Sequence, residues 1–157
     1  MCSACLIANG QTLGPWEYTG SHDNAARGGV NAVDRQHVDR RDTRWWADAG
    51  VASTPDVVVS YYGSGIADRL DDASRLDCPV IFHFGAADTY LPPDQAERIR
   101  ASFQDHPDAE IRMHADAGHA FDNFRAPIFY HQSAADEAWP QTRAFLEQHF
   151  APGVPSS

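Results

Sequence analysis

The sequence predicts an α/β fold with a mostly parallel sheet that carries helices on its faces. Two runs rich in β-branched and aromatic residues, Val57–Tyr62 and Val80–Phe84, show no alternation and favour strands covered on both sides. A segment with a helical period follows the second run, and the alternating segment Glu110–His114 favours a third strand nearer the sheet edge. Strands that alternate with helices imply right-handed crossovers and parallel pairing.

Composition narrows the class of protein. A chain of 157 residues with 43% apolar residues can build the core of one domain. A net charge of −10 argues against a nucleic-acid partner or an anionic membrane surface, and no apolar stretch approaches the roughly 20 residues of a membrane helix. Three cysteines, no leader-like start and no metal-ligand spacing among the histidines predict a soluble, cytoplasmic protein without metal or cofactor.

The chain divides into three parts of different texture. Residues 1–54 are poorly defined, since their apolar residues are sparse and follow no period. A lone Cys-x-x-Cys pair, Cys2 and Cys5, reads as a frayed terminus, and a helix over 33–48 is compatible with the pattern. Residues 55–150 hold the α/β unit, and the tail 151–157 is expected to be disordered.

The segments between the strands carry their own start and stop features. Residues 66–77 are a polar connection with at most a short helix. Pro92 and Pro93 mark the first turn of a helix whose apolar stripe recurs at spacings of three and four, and His106-Pro107-Asp108 ends it. A last helix begins near Ser133, and Pro140 is expected to kink it or to restart it.

An acid and a histidine follow two successive strands. Asp88 comes after the run at 80–84, and His119 comes after the run at 110–114, 31 positions later (119 − 88). Carboxyl ends of parallel strands share one sheet edge, so we expect the two side chains to meet there, as a carboxylate that orients a histidine base. The alternative is structural, because an Asp after a strand is often a cap and a Gly-His pair is often a turn.

Four segments in register resemble the C-terminal half of the dienelactone hydrolase family: Val59–Gly63, Pro79–Asp88, Ala117–Phe121 and Ala138–Thr142. The resemblance covers about residues 55–150 and implies part of an α/β-hydrolase sandwich. It implies Asp88 as the acid and His119 as the base of a nucleophile-His-Asp triad. It also implies hydrolysis of small lactones or carboxylic esters through a cysteine, or in some members a serine, without a cofactor.

The nucleophile turn of that family, G-x-C/S-x-G, is absent upstream of the strand at 57–62. Gly63-Ser64-Gly65 has the wrong spacing, and Cys78 precedes a strand as a core residue, so the nucleophile is unknown. Residues 1–54 are then non-homologous sequence of a truncated or frame-shifted copy, or the chain is a shortened relative without catalysis. Two functions follow: a lactone or ester hydrolase, or a non-catalytic remnant that binds or oligomerises.

Three further residues are candidates for the substrate pocket. Tyr90 and Phe121 flank the acid and the base, where they line a small apolar pocket or act as lids on the core. Arg125 is a candidate for an anionic substrate group, against the alternative of a solvated loop arginine. Because the earlier strands of the family are missing, the strand at 57–62 is expected to expose an unpaired edge and to support self-association.

Overall fold

The computed structural model describes the backbone of residues 4–8 and, apart from the side chains of residues 72–74, all of residues 57–149. Three expectations from the sequence lie outside the described residues: the helix over 33–48, the role of Cys2 and the disordered tail at 151–157.

The described strands form one sheet in the order β1-β2-β3-β4. They are β1 (Ala4–Ala8), β2 (Val57–Tyr61), β3 (Val80–Gly85) and β4 (Ala109–His114). β2, β3 and β4 run parallel, and β1 pairs antiparallel with β2. The predicted mostly parallel sheet is confirmed, and the bounds of its three parallel strands differ from the predicted runs by one residue each.

The helices of the described region are α1 (Pro93–Ser102) and α2 (Gln132–His149). Two short 3-10 helices, Ile66–Asp68 and Leu70–Arg75, form the polar connection between β2 and β3. Pro140 lies inside α2, which continues through it, so the predicted restart is wrong. A proline removes a single donor from the helix, and the packed face of α2 holds the remaining turns in place. Neither α1 nor α2 is long and apolar enough to cross a membrane.

Alternation along the strands sends side chains into two separate cores. Val58, Val80, Phe82 and Phe84 pack on one face with residues of α1, among them Ile99. On the other face, the neighbouring strand residues pack with residues of α2: Val57, Val59 and Ile81 with Ala138, Phe145 and Leu146. The helices therefore cover opposite faces of the sheet, as predicted, and β2 and β3 are buried on both sides because of it. β4 lies at the edge of the sheet, as predicted, and is only partly buried.

β1 changes the expectation for the sheet edge. The pairing runs along the whole of β2, from Ala4 opposite Tyr61 to Ala8 opposite Val57. The prediction that the strand at 57–62 leaves its edge open is therefore wrong for this structure, and Cys5 belongs to a strand rather than to a frayed end. Because strand hydrogen bonds satisfy that edge, self-association through it would require β1 to leave.

Two buried histidines join α2 to the sheet. The Tyr61 hydroxyl lies 2.7 Å from Thr142 Oγ1, which lies 2.9 Å from His83 Nε2. His83 Nδ1 in turn lies 3.0 Å from His114 Nε2, and the far nitrogen of His114 faces Glu137 Oε2 at 3.6 Å. Strands β2, β3 and β4 are thus tied to one helix by a continuous polar chain inside the core.

Burial keeps both of these imidazoles neutral. Desolvation, reinforced by the nearby His114 and Arg112, lowers the pKa of His83 to about 3. Desolvation also lowers the pKa of His114, and the Glu137 carboxylate offsets part of that effect. The folded protein therefore binds fewer protons at these two sites than the unfolded chain does.

We predict that this network makes the fold sensitive to acid. Since the pKa of His83 is depressed, its contribution is fully present above the ordinary value of about 6.5 and is lost as the pH falls from there towards about 3. We expect the free energy of unfolding, measured with urea from pH 7 to pH 4, to depend less on pH in His83→Gln than in the wild type. The slopes should differ by up to about 1.4 kcal/mol per pH unit.

His149→Gln is the matched control, because His149 lies half-buried at the end of α2 and outside the network. It is expected to keep the wild-type slope. An equal slope for the wild type and for His83→Gln would contradict the role given to the buried histidines.

Candidate active site

Asp88 and His119 lie in the loops that follow β3 and β4. β3 and β4 pair in parallel register up to Gly85 opposite His114, so their carboxyl ends coincide. The two loops consequently leave the sheet side by side, and the structure brings together the two residues that the sequence predicts to meet. Their side chains are bonded directly, with His119 Nδ1 2.9 Å from Asp88 Oδ2.

The Asp88 carboxylate is held from both of its oxygens. Oδ1 accepts the backbone N–H groups of Tyr90, at 2.7 Å, and of Leu91, at 3.1 Å. Oδ2 is left for His119. The capping role that the sequence suggested for Asp88 is therefore present, and it coexists with the histidine contact because a carboxylate accepts several bonds. Asp88 is 3% exposed, so water competes weakly for these bonds.

The His119 imidazole is oriented by one hydrogen bond and two aromatic rings. A carboxylate only accepts hydrogen bonds, so Nδ1 carries a proton and donates it in a hydrogen bond to Asp88, and Nε2 presents its lone pair. The rings of Tyr62 and Tyr90 lie 5.1 Å and 4.9 Å from the imidazole. Nε2 is buried and has no hydrogen-bond partner among the described residues, although His119 as a whole is 6% exposed. An imidazole oriented in this way is able to accept a proton at Nε2.

Backbone hydrogen bonds join the two loops. Ala86 N–H donates to His114 O and Ala87 N–H donates to Ala117 O, each at 2.9 Å. Gly85 permits this approach, because a Cβ on it would collide with Ala117 O and would lie 2.7 Å from Gly118 O. The glycine that ends the apolar run is thus required by the close passage of the histidine loop.

The three pocket candidates lie in different surroundings. The Tyr90 side chain is 46% exposed beside His119, in a position to touch a bound molecule. Phe121 is fully buried and packs against Tyr61 and His114, so the structure favours the core interpretation for it. Arg125 is exposed, with its guanidinium over the Phe124 ring at 5.9 Å.

The side chains described around His119 supply no nucleophile. No described hydroxyl or thiol is bonded to Nε2. Cys78 is buried in the core cluster beneath α1, as the sequence predicts, and it lies before β3, at the amino end of the strand that leads to Asp88.

Sequence reasoning missed two hydrogen bonds, one beside the site and one in the core. Tyr62 donates its hydroxyl to Asp122 Oδ1 at 2.6 Å, and nothing in the local pattern of either segment indicates that bond. The second joins His83 to His114. The position of His83 in a strand run does favour a satisfied core histidine, as observed, but it gives no sign of the partner.

Comparison with known protein families shows to which family the chain is related. The sequence profile of the dienelactone hydrolase family matches residues 46–150, which contain the whole acid–histidine pair. The chain belongs to the dienelactone hydrolase family. Its parallel sheet with helices on both faces is accordingly part of an α/β-hydrolase fold, as predicted.

Individual relatives are longer than this chain. A protein of Azospirillum brasilense assigned as a carboxymethylenebutenolidase is 29% identical over 97 residues, which cover 62% of this chain and 42% of the relative. The carboxymethylenebutenolidase of Pseudomonas sp. strain P51 is 32% identical over 71 residues, 45% of this chain and 29% of the relative. The chain therefore spans about two-fifths or less of the length of these relatives.

A solved structure gives the same partial match. The crystal structure of a Klebsiella pneumoniae protein assigned as a dienelactone hydrolase is 33% identical, with a TM-score of 0.46. The match covers 50% of this chain and 33% of that protein.

We predict that Gly85→Ala damages both the fold and the site. The added methyl meets backbone carbonyls, which cannot rotate away as a flexible side chain would, so the histidine loop must shift. Overpacking of this kind costs about 1–3 kcal/mol of unfolding free energy, which urea unfolding would measure.

Gly118→Ala is the matched control, because the nearest atom to its added Cβ is Ala87 O at 3.9 Å. It is expected to unfold as the wild type does. Equal stabilities of the two variants would contradict the claim that Gly85 is where the loops pass closest.

Proposed function

We propose that the chain supplies the acid and the base for hydrolysis of a small lactone or carboxylic ester. The observation that carries this proposal is the Asp88–His119 hydrogen bond of 2.9 Å combined with a buried Nε2 that has no described partner. Membership of the dienelactone hydrolase family supports the reaction class. The relatives named as carboxymethylenebutenolidases support a lactone as the substrate.

The chemistry assigns one task to each side chain. Asp88 holds the Nδ1–H tautomer and stabilises the imidazolium, while Nε2 takes the proton of the attacking O–H or S–H group. The nucleophile adds to the substrate carbonyl, and the imidazolium returns its proton to the leaving alkoxide oxygen. Water then attacks the acyl intermediate with the same histidine as base, and the acid product and the free nucleophile are released.

The attacking group lies outside the side chains that the structure describes, or else it is a water molecule that His119 activates directly. The two cases differ in whether the protein becomes acylated during turnover. Mass spectrometry of protein quenched during turnover of an aryl acetate would show an acetylated chain in the first case and an unmodified chain in the second.

We predict that His119→Ala abolishes hydrolysis of an aryl acetate and of an unsaturated five-membered lactone. A positioned general base contributes about 100-fold or more to the rate, so the loss should be at least that large. Asp88→Asn is expected to lower the rate by a similar factor, since an amide N–H in place of Oδ2 would favour the wrong imidazole tautomer. The measurements are initial rates on protein whose fold is verified by circular dichroism.

His149→Ala is the matched control, because its ring contacts Phe145 and lies at the far end of α2. It should retain the wild-type rate. Clean, folded wild-type protein without turnover would contradict the enzymatic proposal, and the non-catalytic module that binds or oligomerises would then be the better description of this chain.

The proposal also covers the cellular compartment and the self-association of the protein. Three cysteines, an odd number, support a reducing compartment, and we place the protein in the cytoplasm. Self-association through a sheet edge stays a prediction, which a monodisperse monomer in light scattering at micromolar concentration would contradict.

A further inference from the structure

Tyr62 adopts a backbone conformation that a bulky residue rarely takes. Its φ is 41°, in the left-handed region, directly after β2 ends at Tyr61. A residue in such a conformation costs roughly 1–3 kcal/mol and persists where its surroundings over-determine it. Its N–H donates to His83 O at 2.7 Å, which continues the ladder between β2 and β3 one residue further.

Contacts of the Tyr62 side chain hold the residue in this backbone conformation. It is buried, and its hydroxyl donates to Asp122 Oδ1 at 2.6 Å. Asp122 follows His119 by three residues in the same loop, and Ala120 between them also has a positive φ, of 55°. The bond therefore ties the end of β2 to the loop after β4, across the carboxyl end of the intervening β3.

The hydrogen bond between Tyr62 and Asp122 affects how far the ring of His119 can tilt. The hydrogen bond to Asp88 fixes one ring nitrogen but leaves the imidazole able to tilt about that bond. Two aromatic rings limit the tilt, and of these Tyr90 is half-exposed whereas Tyr62 is buried and anchored. Phe121 supports Tyr62 from the core in an edge contact at 5.8 Å.

We propose that Tyr62 and Asp122 are a positioning pair that holds the imidazole of His119 against Asp88 and keeps Nε2 directed at the reacting centre. The catalytic part of this statement rests on the proposed function, whereas the positioning itself does not require turnover. Neither residue transfers a proton. They act by restricting the ring that does.

The test is the exchange with water of the Nδ1 proton of His119, measured by NMR on protein with 15N-labelled histidine and assigned by its loss in His119→Gln. Tyr62→Phe keeps the ring and removes the tie, so the exchange rate is expected to rise about tenfold as the imidazole leaves Asp88 more often. Asp122→Ala is expected to do the same, and Asp122→Asn, which keeps an acceptor oxygen, to restore most of the protection.

Tyr61→Phe separates positioning from loss of stability. It also removes the hydroxyl of a buried tyrosine, the one bonded to Thr142, one residue earlier in the chain. It is expected to leave the exchange rate of His119 within twofold of the wild type. The double variant Tyr62→Phe/Asp122→Ala should show the same exchange rate as each single variant, since both substitutions remove the same hydrogen bond.

Three results would overturn the proposal: unchanged exchange in folded Tyr62→Phe, an equal rise in Tyr61→Phe, or additive effects in the double variant. In the hydrolysis assay Tyr62→Phe should lower kcat and leave KM unchanged, because the pair acts on the base and does not touch the substrate. Wild-type protein without turnover would overturn the proposed hydrolysis alone, since the imidazole measurement judges the positioning pair separately.

Discussion

The parallel register of β3 and β4 is the constraint on which the site depends. The ladder runs from Val80 opposite Ala109 to Gly85 opposite His114, so both strands end at one level. A separation of 31 residues along the chain thereby becomes a contact of 2.9 Å between Asp88 and His119. A slip of one residue would turn the buried strand side chains to the wrong face, so the packing of both cores also protects the site.

Histidine occurs in two different settings in the described part of the chain, and the partners of the ring nitrogens differ between them. In the buried chain, Thr142 and His114 contact both nitrogens of His83, and Glu137 favours the tautomer of His114 that carries its proton on Nδ1. His83 then donates through its own Nδ1. At His119, Asp88 satisfies one nitrogen and the other stays open. The first set of contacts joins α2 to the sheet, although His114 Nδ1 stays 3.6 Å from Glu137 and makes no hydrogen bond. His119 Nε2, in contrast, faces no described side chain that could serve as its partner.

The sequence predicts what periodicity and strand order control. Unbroken apolar runs indicated two of the parallel strands and an alternating segment indicated the third. The positions of Asp88 and His119 after two successive strands then indicated that they meet. The bond between Tyr62 and Asp122 depends on a left-handed backbone and on a rotamer, and it crosses a strand that neither residue belongs to. β1 was missed because a five-residue strand carries too little pattern to separate it from loop sequence.

The Asp88–His119 pair is organised entirely by contacts within the described part of the chain. Asp88 is held by backbone groups of its own loop and His119 by Asp88, and the loops are joined by backbone bonds beside Gly85. None of these contacts involves the part of the α/β-hydrolase fold that would present an attacking group. Because local structure fixes the geometry of the pair, the proposed hydrolysis would need little reorganisation at this end of the sheet. The geometry of the Asp88–His119 pair is therefore a property of residues 79–122 and the strands that flank them.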